Sequence, residues 1–164
     1  MSELQIDQDV EFQRREWRME RIGWAALATF VVAAAGGAFG DGPMSHASAS
    51  DDSGQLLIHY DRFVRASAPA ELRLQIVPAA AKNGELTVWA DWSYLRHVEV
   101  SSIVPEPTRV EQHSQRVVYV FAVPQAVESA EIAFRYRPTR AGRLYGRFGV
   151  SNEAAATVRQ FAFF

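Results

Sequence analysis

The chain has 164 residues, with 17 Lys plus Arg against 19 Asp plus Glu and no cysteine. The near-neutral balance gives no reason to expect nucleic acid as a partner. The lack of cysteine excludes thiolate metal sites, cysteine nucleophiles and redox pairs. One span plus one domain is the natural partition of such a length, and a domain of that size buries a core without disulfides. Lys82 is the only lysine and Ala is abundant, which reads as the codon usage of a GC-rich bacterial genome.

Residues 1–21 form a polar tail, helical from about residue 10 and continuous with the next segment. Glu11 and Arg15 are an i,i+4 pair that supports that helix. Residues 22–40 (IGWAALATFVVAAAGGAFG) carry no charged side chain. A helix needs about 20 apolar residues to cross roughly 30 Å of hydrocarbon, so this segment is predicted to be a transmembrane helix. Arg14, Arg15, Arg18 and Arg21 precede it, whereas Asp41, Asp51 and Asp52 follow it before the first basic residue, Arg62. The positive-inside rule then puts the N-terminus in the cytoplasm and the remainder outside, at the cytoplasmic membrane. Trp17 and Trp24 fall where amphipathic rings prefer the interface. Ala33, Gly36 and Gly37 are small enough for close approach of a second membrane helix. A cleaved signal peptide fits less well, because the long leading segment is rich in acids. A twin-arginine signal also fits less well, because Glu16, Arg18 and Glu20 surround the arginines. A helix buried in a soluble core would find little in an all-β remainder to surround it.

Residues 41–54 (DGPMSHASASDDSG) have the composition of a linker. From residue 55 the apolar period becomes two. Leu72, Leu74 and Ile76 alternate with Arg73 and Gln75, Ile132, Phe134 and Tyr136 with Ala133 and Arg135, and Leu144 and Phe148 with Arg143, Tyr145 and Arg147. About eight short strands result, separated by turn signals at intervals of about ten residues. The prediction for 55–164 is an immunoglobulin-like antiparallel β-sandwich. Asp91 to Arg96 (DWSYLR) interrupts the rhythm and reads as a short helical turn or a crossover. The closing Phe161 and Phe163 suggest a terminal strand docked in the core.

Motifs for chemistry are sparse. His59, His97 and His113 are candidate metal ligands, and Met44 with His46 invites a copper reading. No two histidines have i,i+2 or i,i+4 spacing, so ordinary surface histidines explain them better. No nucleophile elbow is present. Asp91 lies between Trp89 and Trp92, which suits a packed corner better than an activated carboxylate. No cofactor and no catalytic residue is expected. The last third is rich in arginine. Arg135 and Arg137 share one face of a strand, and Arg143 and Arg147, with Tyr145, share a face of the next. Pairing of those strands would build a cationic patch suited to anionic lipid, a polyanionic polymer or an acidic partner surface.

The pieces REWRMERIGWA, DGPMS, YDRFVRASAPAEL, IVPEP and RPTRAGRLYGRFGV, in this order, cover most of the chain. In them the sequence resembles a group of uncharacterised bacterial single-pass membrane proteins with a small extracytoplasmic β-domain. That resemblance implies a multi-pass membrane partner of the YetF-like kind. The plan is also similar to that of CtaG-type copper-delivery proteins, whose cysteine ligands are missing here, and of FixH-type accessory proteins. The expectation is a non-enzymatic accessory protein that contacts an integral membrane protein and the lipid bilayer. A periplasmic ligand- or metal-binding sandwich is the alternative.

Overall fold

A computed structural model describes residues 10–35, 45–77, 81, 84–123, 129–150 and 154–164. Two sheets make up the domain. The first has strand order β1 (His46–Ser50), β2 (Leu56–Asp61), β4 (Ala70–Ile76), β9 (Ala130–Pro138), β6 (Val98–Val104). The second has order β3 (Phe63–Arg65), β11 (Ala154–Phe163), β10 (Gly142–Val150), β5 (Glu85–Asp91), β8 (Arg116–Ala122), β7 (Arg109–Gln112). The alternation seen in the sequence sets which side chains face inward. Leu72, Leu74 and Ile76 of β4 and Ile132, Phe134 and Tyr136 of β9 are buried, and they meet Leu144 and Phe148 of β10 from the other sheet. Two sheets joined through their apolar faces make a β-sandwich, as predicted.

The core is cross-linked by rings. Tyr94 meets Phe148 edge-on at 5.2 Å between centroids, Phe148 meets Phe134 at 6.2 Å, and Phe134 meets Tyr119 at 5.3 Å. Tyr94 comes from α2 (Trp92–Leu95), the helical turn predicted at DWSYLR. Its backbone and Cβ press on Gly146, where any side chain would overlap the tyrosine. Glycine interrupts the inward row of β10 because this close approach requires it.

Several expectations are corrected. His46–Ser50, expected to be linker, is β1, which runs antiparallel to β2 with His46 opposite Asp61 and Ser50 opposite Leu57. Its small residues lower strand propensity, but Ala49 packs against the core. Short β3 and β7 were also missed, since neither is long enough to show a period. The β3–β11 pair is parallel, so the sandwich is not wholly antiparallel. β11 is a docked terminal strand, but of the opposite parity to that expected. Ala156, Val158, Gln160 and Ala162 face inward, whereas Phe161 is exposed and Phe163 half-buried.

Helix α1 (Val10–Ala35) covers part of the predicted span. No helix among the described residues is long and apolar enough to cross a membrane. The reason is one of length. Arg18, Glu20 and Arg21 bound the charge-free part, and Ile22 to Ala35 extends only about 21 Å at 1.5 Å per residue. Residues 36–40 of the predicted span, including Gly36 and Gly37, lie outside the described residues, as does Met44. Within α1, Ala33 is half-buried, and Trp24, Leu27, Phe30 and Val32 are exposed.

Candidate functional site

The arginine patch does not form in the way the sequence suggested. β9 and β10 are consecutive in the chain but belong to different sheets. Arg135 and Arg137 therefore lie on the outer face of one sheet and Arg143, Tyr145 and Arg147 on the outer face of the other. On the first face the arginines are neutralised. Glu71 accepts from Arg73 Nε at 2.5 Å and from Arg135 Nε at 3.1 Å. Those two guanidinium groups hold the Glu71 carboxyl below its usual range. Arg137 sits across from Glu99 of β6. This face is a solvated sheet surface with balanced charge.

The second face differs. Register places Arg143 beside Phe161 and Phe161 beside Phe63, and it places Tyr145 beside Arg159. Arg159 lies 5.9 Å from the centroid of the Tyr145 ring. Strands β3, β10 and β11 contain no acidic residue at any position. The nearest ion-pair partner is Asp91 of β5, whose Oδ2 accepts from Arg147 Nε at 3.2 Å and from the Arg147 backbone N–H at 3.2 Å. Asp91 is thus a structural acid at a corner, with Trp89 buried and Trp92 exposed on either side of it. The arginine-rich last third of the chain, with Arg143, Arg147 and Arg159, was visible in the sequence, whereas β3 was not. Their convergence on one face needed the topology.

A shallow open cleft of about 500 Å³ lies over β1, β2 and β4, lined by His46, Ser48, His59, Asp61, Glu71 and Arg73. His46 Nδ1 lies 2.7 Å from Asp61 Oδ1, with the histidine side chain 71% exposed. This acid–histidine pair latches the edge strand onto its neighbour. Among the described residues no hydrogen bond joins a serine hydroxyl to a histidine.

The three candidate metal ligands are not brought together. His59 lies on β2, His97 follows α2, and His113 follows β7 of the other sheet. His97 Nε2 faces Arg96 Nε at 3.2 Å and Arg140 Nη2 at 3.0 Å. Desolvation and these two cations push its pKa down, and they repel a metal ion. Among the described residues no group of three or more His, Asp or Glu is placed to hold a metal.

A buried polar cluster escaped the sequence reading. Gln160 Oε1 accepts from Tyr94 Oη at 2.6 Å and from Tyr136 Oη at 3.0 Å, and its Nε2 donates to the Asp61 carbonyl at 2.6 Å. Burial pushes both phenols up in pKa, so they stay protonated donors. Among the described residues every buried side-chain polar atom has a partner. The cluster is a closed structural network that ties α2, β9 and β11 together, and it leaves no group free for a ligand.

No family model matches the chain, and no curated protein matches it. Among solved structures the chain is similar to a cohesin module from a Clostridium perfringens family 33 glycoside hydrolase. That similarity has 9% identity over 71% of this chain and 98% of that one, with a TM-score of 0.43.

Proposed function

We infer that the protein is a membrane-anchored, non-enzymatic accessory protein. In this reading its N-terminal helix is held in the cytoplasmic membrane and an immunoglobulin-like sandwich contacts a membrane protein partner outside. The observation that carries the reading is the state of α1. Ile22, Trp24, Leu27, Phe30, Val31 and Val32 are each more than half exposed, and at about 100° per residue they are spread round the helix. From Ile22 onward α1 is thus apolar on every side, and such a stretch belongs in a hydrophobic medium. The charge-free sequence continues past the end of α1 to Gly40, which gives the nineteen residues a span requires. The arginines at its N-terminal end set the orientation. Small residues at Ala33, Gly36 and Gly37 suit packing against a partner helix.

The test is extraction of membranes from an expressing bacterium with alkaline carbonate. The full chain is expected to stay in the pellet and to enter solution only with detergent. Release by carbonate alone would overturn the anchor. Recovery of an integral membrane protein with the detergent-solubilised chain, reduced by Gly36→Leu/Gly37→Leu, is the expected sign of helix-mediated partnership.

A further inference from the structure

We propose that the outer face of β3, β11 and β10 lies flat against the anionic lipid headgroups of the membrane that holds the anchor. This deepens the reading above and rests on it for the tether. Three observations converge on lipid as the occupant.

The first is charge. Arg65, Arg143 and Arg159 project from adjacent strands and have no acidic partner among the described residues, and none of the three strands supplies an acid. The opposite sheet balances its arginines with Glu71, Glu99 and Glu131, so the asymmetry belongs to this face alone.

The second is the interleaving of rings with those cations. Tyr145 is 52% exposed, Phe161 46% and Phe63 36%. Register sets them in the same rows as the arginines. Guanidinium groups that meet phosphate, with aromatic rings beside them at headgroup depth, are the chemistry of an interfacial surface. An acidic protein surface would satisfy the arginines but would have to bury the rings against charge.

The third is the tether. The chain enters the domain at Ser45, whose carbonyl accepts from the Arg62 N–H at 2.6 Å and whose hydroxyl donates to the Phe63 carbonyl at 3.5 Å. Phe63 opens β3, the edge of this same face. Ten residue steps separate Ala35 from Ser45, which caps the reach at about 35 Å. The face therefore starts where the anchor's connecting segment ends, and the effective concentration of lipid beside it is high.

The absence of cysteine makes the test direct. The full chain carries a single label at Thr157→Cys, beside Arg147 on the proposed face, or at Ala133→Cys, on the outer face of the other sheet. It is mixed with vesicles of phosphatidylcholine alone or with one third phosphatidylglycerol, and energy transfer from the label to a headgroup dye is read after flotation. With phosphatidylglycerol the Thr157 label transfers strongly and the Ala133 label weakly. The difference shrinks in phosphatidylcholine and in high salt. Arg143→Gln/Arg159→Gln lowers the face-bound to face-free ratio by roughly 30-fold, at about 1 kcal/mol per arginine. Equal transfer from both labels while the chain floats overturns the face and leaves the anchor standing. Flotation with phosphatidylglycerol vesicles only, with the Thr157 label close, upholds the face and removes the anchor. A chain that floats with neither vesicle refutes both. Protection of the Thr157 label by an acidic protein or an oligonucleotide, but not by phosphatidylglycerol, overturns the assignment to lipid.

Discussion

Replacing Gln160 by leucine should destabilise the domain far more than its loss of hydrogen bonds alone suggests. Tyr94 and Tyr136 are each 1% exposed, and both donate to the one amide oxygen. Without it, one phenol can donate to the other, and one buried donor is left without a partner. Such an orphan costs about 1–3 kcal/mol, and the broken bonds about 1 kcal/mol more. The added apolar surface of leucine returns about 1 kcal/mol. The net expectation is a loss of about 2 kcal/mol, a shift of about 1 M in the urea midpoint. Tyr94→Phe/Tyr136→Phe/Gln160→Leu removes donors and acceptor together, so it should be more stable than Gln160→Leu alone. The assay is urea unfolding of the detergent-solubilised full chain with Trp17→Phe/Trp24→Phe, so that the emission followed is that of Trp89 and Trp92. If the triple variant is as unstable as the sum of its parts, the cluster is not a closed network.

Gly146→Ala should be comparably damaging, because the new Cβ overlaps Tyr94 at the α2–β10 contact; thermal unfolding should show a loss of about 1–3 kcal/mol. Stability should fall as pH drops below about 4.5. Burial pushes the Asp51 carboxyl up, but the Ser53 hydroxyl and the Leu56 N–H outweigh it and hold it below its ordinary 3.8. Arg73 and Arg135 hold Glu71 below 4.5. A carboxyl depressed in the folded state stabilises above its unfolded pKa and loses that contribution as it is protonated. Urea midpoints at pH 7 and pH 3.5 should therefore differ, and Glu71→Gln/Asp51→Asn should narrow the gap. His97 should titrate below 6.5 by NMR, and Arg140→Gln should raise its midpoint, since one of the two facing cations is removed.

The sandwich was legible because its strands are half-buried and long enough to alternate, as in Leu72–Ile76 and Ile132–Tyr136. The helical turn at Trp92–Leu95 was legible because it broke that rhythm. What was not legible depends on pairing. Whether β9 and β10 are neighbours is decided by the sheet order, so Arg135 and Arg143 looked like one patch in sequence and stand on opposite faces in space. Parity was lost at β11, where a small inward row of Ala156, Val158 and Ala162 is less conspicuous than the outward Phe161 and Phe163. The small side chains fit because Tyr94, Tyr136 and Phe148 fill the volume between the sheets. β1 was hidden by its Ser and Ala composition, and its contact between His46 and Asp61 joins residues fifteen positions apart in sequence.

In the proposed reading an anchor places the domain outside the cytoplasmic membrane. Single cysteines at Ser2→Cys and at exposed Glu99→Cys, probed with a membrane-impermeant maleimide in intact spheroplasts, test it most directly. Position 99 is expected to label in intact spheroplasts and position 2 only after lysis. Labelling of both positions only after lysis, with the chain in the supernatant, would contradict it.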